Sequence, residues 1–559
     1  MINIIYKKQD LRYIFLTCNN PKEITQLESF LNKIPQYQFL PSFRGVPKPE
    51  VFLNKFRTKD NQIVYWCHSG LWKTIYDWCN SNGVEVNGVD DYFKYREFDL
   101  TEEQFTQYIY NWNLNITPRD YQIHAAWLIL KYRQSLSELA TRAGKTLVAY
   151  IVFRYMLENG AKNILMVVPS IQLVKQGVED FQEYKEFFST ETVWAKGEYC
   201  EGSNLTIGTY QSLVQRADKK SKKYNPEFFD KFDVVMVDES HHLVAKSINT
   251  ILNQNFMKFV KLKFGFTGTL PQEGTIESFC CHSMMGPTIQ KISTMELVEE
   301  GYLAKPIINQ IRIKYKEDES LLDSYIKCGE YLNSSYEMDG DKKILLPKEE
   351  REFTLQHKKV LPYTLKVLKE QYTKEQYRDY LVDLCKAKGS NLLMLEQMIV
   401  HRTKKRLDVM DDIIRGKSGN CIVFAHHTEY LKHLKKHFET VFPDKTIYII
   451  TGSENLKKRT AIIDDMLTRN DVILCASYGC CSTGITFKNI DYGIFAQSFK
   501  SEIIVLQSIG RGLLKTEEKD TFQIYDIIDH LPTKKLYLQG VSKIKTYKER
   551  EFEYNIINK

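Results

Sequence analysis

The chain has 559 residues, of which 43% are hydrophobic and 26% charged, and its formal net charge is +7. That length predicts three or four domains, the composition excludes long disorder, and the mild positive charge permits a polyanionic partner. The sequence has no apolar run long enough to span a bilayer, no signal-peptide pattern, and 12 cysteines that fit a reducing compartment. We therefore expect a cytoplasmic protein with no membrane partner.

Residues 1–110 alternate short apolar strands with one helical stretch, SGLWKTIYDWCNSNG, and predict a small α+β domain. Between residues 33 and 73, seven basic residues stand against two acidic ones and are interleaved with aromatic rings. Basic groups and flat rings suit a nucleic-acid surface, for which the candidates are Arg44, Lys48, Lys55 and Arg57. The equally weighted alternative is that most of the rings form the core of this domain.

Two sets of β-rich runs come next along the chain, and amphipathic stretches separate the runs. The first set is KNILMVVPS, NLTIGTY, FDVVMVDES and KLKFGFTGT, and the second is GNCIVFAHH, KTIYIITG, DVILCASYG, IDYGIFAQS and FQIYDIID. This alternation is typical of parallel sheets covered on both faces, so we expect two α/β domains with a cleft between them. The intervening residues 317–410 show helical spacing without strand texture and predict a helical insertion or linker.

A glutamine-containing stretch, Pro118 to Gln122, opens the first α/β set. A Gln amide combines a donor and an acceptor, as recognition of an adenine edge requires. Alone, this stretch is a weak signal.

The stretch SELATRAGKTLVAY, residues 137–150, has the form of a phosphate-binding loop that leads into an apolar helix. We predict an apolar turn before the loop and a helix after it, whose N-terminal N–H groups attract an anion. Gly144 lets the backbone approach the phosphates of a nucleotide, Lys145 is placed to reach the β/γ oxygens, and the Thr146 hydroxyl can ligate Mg²⁺.

One position departs from the usual loop. Arg142, between Thr141 and Ala143, stands where many such loops have a glycine. Because a Gly-Lys-Thr triplet also occurs by chance, the loop has to be judged by the motifs at the right distances downstream.

Two carboxylates come after the apolar run FDVVMV as Asp238-Glu239-Ser240-His241, about 90 residues after the loop. An open parallel sheet binds ligands at the carboxyl ends of its strands. There Asp238 is suited to hold Mg²⁺ and Glu239 to orient or deprotonate the attacking water. The alternative is a buried strand followed by an ordinary polar turn.

Three further motifs end predicted strands. Thr267-Gly268-Thr269 is placed at the same edge of the first sheet, and SYGCCSTGITFKN (477–489) and QSIGRGLLK (507–515) belong to the second set. An arginine offered across a cleft stabilises the charge of a transferring phosphoryl group, and Arg511 is the candidate.

In this order and spacing, the six elements resemble those of the superfamily 2 helicases over about residues 117–530. The closest resemblance is to UvsW-type phage recombination helicases, which carry a similar AGK loop, a SYGxxSTGI stretch and KSxIIVLQxIGR. Here the last reads KSEIIVLQSIGR, residues 500–511. The small N-terminal domain of that family resembles residues 38–100, and its loop tolerates variation at the position of Arg142.

The resemblance implies two RecA-like domains that use ATP and Mg²⁺ to unwind or translocate along nucleic acid, with branched DNA as the favoured substrate. It also implies a monomer that works beside recombination or replication proteins in the host cytoplasm. The residues implied at the nucleotide are Tyr121, Gln122, Thr141, Arg142, Ala143, Gly144, Lys145, Thr146, Gly484, Gln507 and Arg511. Those implied in coupling are Ser240, His241, Thr267, Gly268 and Thr269. Those implied at nucleic acid are Pro169, Thr209, Thr451, Gly452 and Thr483.

Two departures from the family pattern leave alternatives open. The second arginine of the QxxGRxxR pattern is replaced by Leu514, next to Lys515, and the 317–410 insertion is long. The alternatives are an ATP-gated scaffold with weak hydrolysis and the motor subunit of a restriction system, although no convincing PD…(D/E)xK nuclease cluster is present.

The predicted organisation is a nucleic-acid-binding domain (1–110), a first RecA-like domain (111–305), a connecting strand with a helical insertion (306–415), a second RecA-like domain (416–540) and a C-terminal tail (541–559).

Overall fold

A computed structural model describes residues 1–7, 10–33, 51–89, 98–194, 202–315, 336–339, 342–345, 393, 396–397, 400–401, 403–452, 454, 456–479, 487, 489–498, 501–517, 519–531 and 534–559. These residues form two compact units, Met1–Glu296 and Leu297–Lys559, each with its own hydrophobic core. In these ranges no helix combines the length and apolar character needed to cross a membrane.

A five-stranded mixed sheet begins the first unit and confirms the predicted small α+β fold. Its elements are β1 (Ile2–Tyr6), β2 (Tyr13–Cys18), α1 (Pro21–Lys33), β3 (Asn54–Arg57), β4 (Ile63–His68), α2 (Trp72–Ser81) and β5 (Val86–Asn87), with strand order β3-β4-β2-β1-β5. The alternation of buried and exposed residues along β1 and β2 follows from the two-residue period of a strand, and it buries one face under the helices.

A seven-stranded sheet in which every pair is parallel forms the rest of this unit. Its elements are α3 (Glu102–Tyr110), α4 (Asp120–Tyr132), β6 (Gln134–Leu139), α5 (Lys145–Glu158), β7 (Ile164–Val168), α6 (Ile171–Tyr184), β8 (Thr190–Val193), β9 (Leu205–Thr209), α7 (Tyr210–Ala217), β10 (Val234–Val237), α8 (Lys246–Leu252), β11 (Leu262–Thr267), α9 (Ile276–Met285), β12 (Thr288–Ile292) and α10 (Thr294–Glu299). The strand order is β12-β6-β11-β10-β7-β9-β8, so the parallel α/β architecture is confirmed.

The segment before the loop is a strand, and the predicted apolar turn was wrong. β6 reads QSLSEL, and all six residues are buried although four of them are polar. Its position between β11 and β12 imposes the extended conformation, which the polar side chains disguise in the sequence.

The N-terminal sheet shares its hydrophobic core with α9. Phe279 of α9 is buried among N-terminal residues, and its ring centroid lies 5.9 Å from that of Phe30 and 5.5 Å from that of Phe52. Gly70 packs so closely on α9 that a Cβ there would lie 2.1 Å from the carbonyl oxygen of His282. The N-terminal sheet and the first parallel sheet therefore belong to one compact unit.

A second seven-stranded parallel sheet forms the second unit. Its elements are β13 (Lys305–Lys314), β14 (Tyr336–Asp339), β15 (Lys342–Leu345), α11 (Lys404–Arg415), β16 (Cys421–Ala425), α12 (Thr428–Val441), β17 (Thr446–Ile450), α13 (Leu456–Met466), β18 (Val472–Ser477), β19 (Tyr492–Phe495), α14 (Glu502–Arg511), β20 (Thr521–His530), α15 (Lys535–Glu549) and β21 (Glu553–Asn558). The order is β17-β18-β16-β19-β20-β13-β21, while β14 and β15 pair separately as an antiparallel hairpin.

The second sheet includes two segments that the sequence analysis assigned outside the second RecA-like domain. β13, assigned to a connecting segment, pairs with β20 inside the second sheet. Residues 541–559, predicted as a tail, supply the end of α15 and the edge strand β21, which pairs with β13. Most of the 317–410 insertion lies outside the described residues; the described part contains the β14–β15 hairpin, which the helical interpretation omitted, as well as α11.

Candidate nucleotide-binding site

The loop between β6 and α5 contains two residues in the left-handed region of backbone space. Gly144 has φ 76° and Arg142 has φ 71°. Arg142 thus holds a left-handed conformation that glycine adopts readily, at a cost of about 1–2 kcal/mol for a non-glycine residue.

The glutamine-containing stretch lies directly beneath the loop. Gln122 Nε2 and Tyr121 Oη each donate to the Ala143 carbonyl, at 2.9 Å in both cases, and Gln122 Oε1 accepts from Arg119 N at 2.9 Å. Gln122 also packs on Gly144, where a Cβ would lie 2.2 Å from Nε2. Support of the loop by Tyr121 and Gln122 was missed in the sequence, and recognition of adenine by Gln122 stays a prediction.

Asp238, the first of the two carboxylates after β10, interacts electrostatically with the loop lysine. Burial raises the pKa of Asp238 to about 6, the Glu239 carboxylate adds to the rise, and Lys145 opposes it. Glu239 has φ 50°, a left-handed backbone that turns the chain directly after the strand, and its N–H donates to Asp238 Oδ1 at 2.9 Å. A strained residue at this position fits a functional site.

His241 connects the carboxylate turn to the threonine motif. Its Nδ1 lies 3.3 Å from Glu239 Oε2 and 3.0 Å from Thr267 Oγ1. The Thr267 hydroxyl donates to the Thr269 carbonyl at 3.0 Å, so it offers His241 a lone pair and Nδ1 carries the proton. The arrangement is a continuous polar chain from Glu239 to Thr269.

Ser240 is fully buried, and its hydroxyl donates to the Val237 carbonyl at 2.8 Å. It also packs against Gly265 of β11, where a Cβ would lie 2.1 Å from Ser240 Oγ. Locally, Ser240 holds the turn against the neighbouring strand.

Gly268 lies against the loop. A Cβ at this residue would stand 3.6 Å from Thr141 Oγ1 and 3.7 Å from Lys145 Nζ. The carboxyl ends of β6, β10 and β11 therefore converge, and the structure brings together Lys145, Asp238 and the predicted TGT motif.

Asp180 of α6 hydrogen-bonds Thr146 at the start of α5, and no sequence motif indicates this contact. Burial and the carboxylates of Glu183 and Glu179 raise its pKa to about 6, while a hydrogen bond with Thr146 acts in the opposite direction. Thr146 also hydrogen-bonds Tyr184 at the end of α6. The packing of α6 on α5 creates this contact, and neither helix carries a local signal for it.

In the second unit, Gln507 and Arg511 lie on α14, whose last residue is Arg511. The chain after this helix is held from three sides. The Lys519 ammonium donates to the carbonyls of Gly512 and Ile490, Phe522 packs on Gly512, and Ala304 N donates to the Leu513 carbonyl at 2.9 Å.

Leu514 and Lys515, where this sequence departs from the family pattern, both make local contacts in the second unit. Leu514 forms an antiparallel bridge with Leu303, and Lys515 Nζ lies 3.3 Å from Asp520 Oδ1. Lys515 is therefore engaged locally on the surface of the second unit.

The described residues that the resemblance implies at nucleic acid follow or end strands of the two parallel sheets. Pro169 follows β7, and Thr209 ends the neighbouring β9 and caps α7, so both lie at the carboxyl edge of the first sheet. Thr451 follows β17, is buried and donates to Glu454 at 2.7 Å, while the next residue, Gly452, is exposed.

The basic candidates of the N-terminal sheet are only partly described. Lys55 pairs with Glu28 at 3.0 Å, and Arg57 Nη1 donates to Asn61 at 3.0 Å. Arg44, Lys48, Thr483 and Gly484 lie outside the described residues.

Two family models match the chain. The model described as "Type III restriction enzyme, res subunit" matches residues 115–272, and "Helicase conserved C-terminal domain" matches residues 405–513. These matches contain the loop, carboxylate and threonine motifs of the first unit and the QSIGR motif of the second.

Two relatives are similar to the chain in sequence. The ATP-dependent DNA helicase uvsW of Enterobacteria phage T4 is 25% identical over 511 residues, which is 87% of this chain and 86% of the relative. The DNA 3'-5' translocase XPB2 of Sulfurisphaera tokodaii is 29% identical over 36% of this chain and 41% of its own.

Among solved structures, the T4 UvsW crystal structure covers 100% of this chain and 99% of its own at 21% identity and a TM-score of 0.44. The restriction-modification enzyme LlaBIII bound to DNA covers 79% and 31% at 14% identity, with a TM-score of 0.51, and supports the fold alone.

The resemblance inferred from the motifs is thereby confirmed. The two family models match residues 115–272 and 405–513, where the helicase-like motifs lie, and the chain is similar to the UvsW helicase along most of its length.

Proposed function

We propose that this chain is an ATP-dependent DNA helicase or translocase that acts on branched DNA during recombination, repair or replication-fork restart in the bacterial cytoplasm. The observation that carries the proposal is the convergence of Lys145, Asp238 and Gly268 at one edge of a parallel sheet. The similarity to uvsW over most of both chains supports the choice of DNA as the substrate.

In the proposed site, Lys145 neutralises the β/γ-phosphates, and the N–H groups at the start of α5 bind their oxygens. Glu239, held by His241, orients the attacking water. A hydroxyl and a carboxylate are the oxygen donors that Mg²⁺ prefers, so Thr146 and Asp238 fit as its ligands. When bound, Mg²⁺ would supply positive charge to the phosphate oxygens.

Arg511 and Gln507 supply the contribution of the second domain in this proposal. The carbonyl bonds of Lys519 and the ring of Phe522 fix the backbone that comes after Arg511, and such pre-organisation suits a guanidinium that stabilises developing charge. Leu514 replaces a second arginine, so we expect turnover below the norm for this type of motor.

Pro169, Thr209, Thr451 and Gly452 are the proposed contacts along the nucleic-acid strand. All four lie at strand ends on the carboxyl edges of the two sheets. Backbone and hydroxyl groups at such edges contact phosphates without reading the sequence of the bases.

A steady-state ATPase assay compared across single-stranded, duplex and branched DNA and RNA tests the proposal. We expect the largest stimulation with branched DNA and strand separation that requires ATP. Hydrolysis that no nucleic acid stimulates, in a folded protein, would leave only the ATP-gated scaffold.

The second candidate is the motor of a restriction system, because the first family model carries a restriction-subunit description. This interpretation predicts Mg²⁺-dependent cleavage once a partner nuclease is supplied. A cleavage assay with circular duplex DNA separates it from a helicase that leaves every strand intact.

A further inference from the structure

The N-terminal sheet has an apolar face on the side opposite its helices. On the inner side, Ile4, Leu16 and Cys67 are buried against α1, α2 and α9. Residues on the outer side follow the strand alternation: Ile5, Tyr13, Phe15, Phe56, Val64 and Trp66, here called the aromatic face. Ile5 is 43% exposed and Phe56 is 42% exposed.

The strand register makes these residues one continuous surface. Ile5 is paired with Phe15, and Phe15 is paired with Trp66. Ring contacts extend the surface across three strands, since the centroids of Tyr13 and Trp66 are 5.0 Å apart and those of Phe15 and Phe56 are 6.4 Å apart. Ile5 and Phe56 are exposed, and Tyr13, Phe15, Val64 and Trp66 are half-buried. A continuous, partly exposed apolar surface of this kind marks an interaction site.

Positive charge accompanies the rings. Lys7 Nζ lies 4.1 Å from the centroid of Phe15, and the Arg12 guanidinium lies 5.0 Å from that of Tyr13. Arg12 also forms an ion pair with Asp10, in which Nη2 lies 2.7 Å from Oδ2. The residues of β1 to β4 themselves include no acidic side chain. A cationic and aromatic surface favours a polyanion with exposed flat groups.

The aromatic face also adjoins the motor part of the same unit. Leu11 N donates to the Lys258 carbonyl at 3.1 Å, and Arg12 Nη1 donates to the Asn253 carbonyl at 3.4 Å. A ligand on Tyr13 therefore lies next to the segment between β10 and β11. Nucleic acid held there would be fixed to the body that carries Lys145.

We propose that the aromatic face binds single-stranded nucleic acid, with unpaired bases stacked on Phe15, Phe56 and Trp66 and a phosphate near Lys7. The proposal rests on the nucleic-acid motor function and adds the form of the substrate. Bases stack on aromatic side chains only when they are free of their own helix, so duplex DNA lacks the groups that this face recognises. It is a different surface from Lys55 and Arg57, whose Cβ atoms point to the other side of β3.

Photocrosslinking of the nucleotide-free, full-length protein tests the site directly. An oligonucleotide containing 5-bromodeoxyuridine is irradiated on the protein, and the crosslinked peptides are identified by mass spectrometry. We expect adducts on peptides that contain Phe56 or Trp66. This experiment needs no substitution and therefore does not depend on the folding of a variant.

Two variants supply the affinity test. Phe56→Ser removes an exposed ring, and its loss should weaken single-strand binding by about 5- to 100-fold, as expected for one stacked base, while duplex binding is unchanged. Lys7→Glu should weaken single-strand binding and reduce its salt dependence. Tyr110→Ser, on α3 and 43% exposed, is the matched control for removal of a surface ring.

The outcomes separate this proposal from the motor function. Crosslinks confined to other peptides, with single-strand affinity of wild-type strength in both variants, would overturn the aromatic face as a nucleic-acid site. An equal loss of duplex and single-strand binding in Phe56→Ser would also overturn base stacking. In either case, ATPase activity that DNA still stimulates leaves the motor proposal standing, whereas its absence in the wild type removes the motor proposal itself.

Discussion

His241 Nδ1 lies 3.0 Å from Thr267 Oγ1 and thereby joins the turn after β10 to the last residue of β11. The same nitrogen lies 3.3 Å from the carboxylate of Glu239. A movement of either segment therefore changes the position of Glu239, the group proposed to orient the attacking water.

His241→Ala should lower the maximal ATPase rate by about 10- to 100-fold while the KM for ATP changes little, because Glu239 loses its positioning partner and Lys145 does not. Steady-state kinetics measure the split. The adjacent His242→Gln is the control: burial and His241 lower the pKa of His242 to about 4, so this ring is already neutral. Equal damage in both variants would mean that the turn merely unfolds.

Lys145→Ala and Glu239→Gln should separate binding from hydrolysis. Loss of the loop ammonium should reduce both nucleotide affinity and turnover, with turnover falling by at least about 100-fold. Glu239→Gln retains shape and metal ligand, so ATP should bind normally while turnover falls by about 100-fold or more. Fluorescent-nucleotide titration and phosphate release measure the two quantities. Loss of ATP affinity in Glu239→Gln as severe as in Lys145→Ala would contradict the assigned roles.

The two left-handed residues of the loop should respond in opposite ways to substitution. Arg142→Gly fits the backbone at φ 71° without strain, and we expect ATPase activity within about threefold of wild type. Gly144→Ala combines φ 76° with a Cβ 2.2 Å from Gln122 Nε2, so nucleotide binding should be lost. Calorimetric titration with a non-hydrolysable analogue checks both. Inactivity of Arg142→Gly would show that the guanidinium itself contributes to the site.

Arg511→Ala should reduce turnover by about 1,000-fold or more with little change in ATP affinity, because its charge acts mainly in the transition state. Leu514→Arg, which restores the second arginine of the family pattern, should raise turnover if the native site operates below the norm. Rapid-quench measurement of a single turnover gives the chemical step for each variant.

Lys519→Met tests how the arginine helix is held. It leaves the carbonyls of Gly512 and Ile490 without their buried ammonium, so we expect lower turnover at unchanged KM and a partial return of activity in Lys519→Arg. Lys515→Met, at an exposed ion pair, is the matched control and should change little.

His68 should make the N-terminal part of the molecule sensitive to acid. Burial, Lys263 and Arg12 lower its pKa from 6.5 to about 4, and Asp10 opposes them. Between pH 6.5 and about 4, the His68 ring binds more protons in the unfolded chain than in the folded one. Its contribution to the free energy of unfolding is therefore fully present above pH 6.5 and is lost as the pH falls towards 4. Thermal unfolding followed by circular dichroism at several pH values should show a smaller decline in His68→Gln.

Sequence patterns located most of the fold because the buried strands of parallel sheets are apolar runs. β7, β10, β16 and β18 stand out for that reason. β6 and β21 do not, since the first is rich in polar residues and the second is a mostly exposed edge strand whose pairing depends on distant residues.

The same distinction holds at the nucleotide site. Asp238 and Thr267 lie at the ends of β10 and β11, and Lys145 follows the loop after β6, so the edge rule placed them together. The support of the loop by Gln122 and the contact of Asp180 with Thr146 arise from helix packing, which has no local signature. Separate motifs were therefore readable, whereas the contacts that position them required the structure.

The burial of Phe279 in the N-terminal core determines how this protein can be recombined with its relatives. A chimaera that imports only residues 1–110 from a homologue would place an unmatched surface against Phe279 and His282 of α9. A crossover after residue 296 keeps ring, glycine and helix from one parent. Natural or engineered exchange of substrate preference should therefore succeed when the whole first unit is transferred, and it should yield insoluble protein when the small sheet is transferred alone.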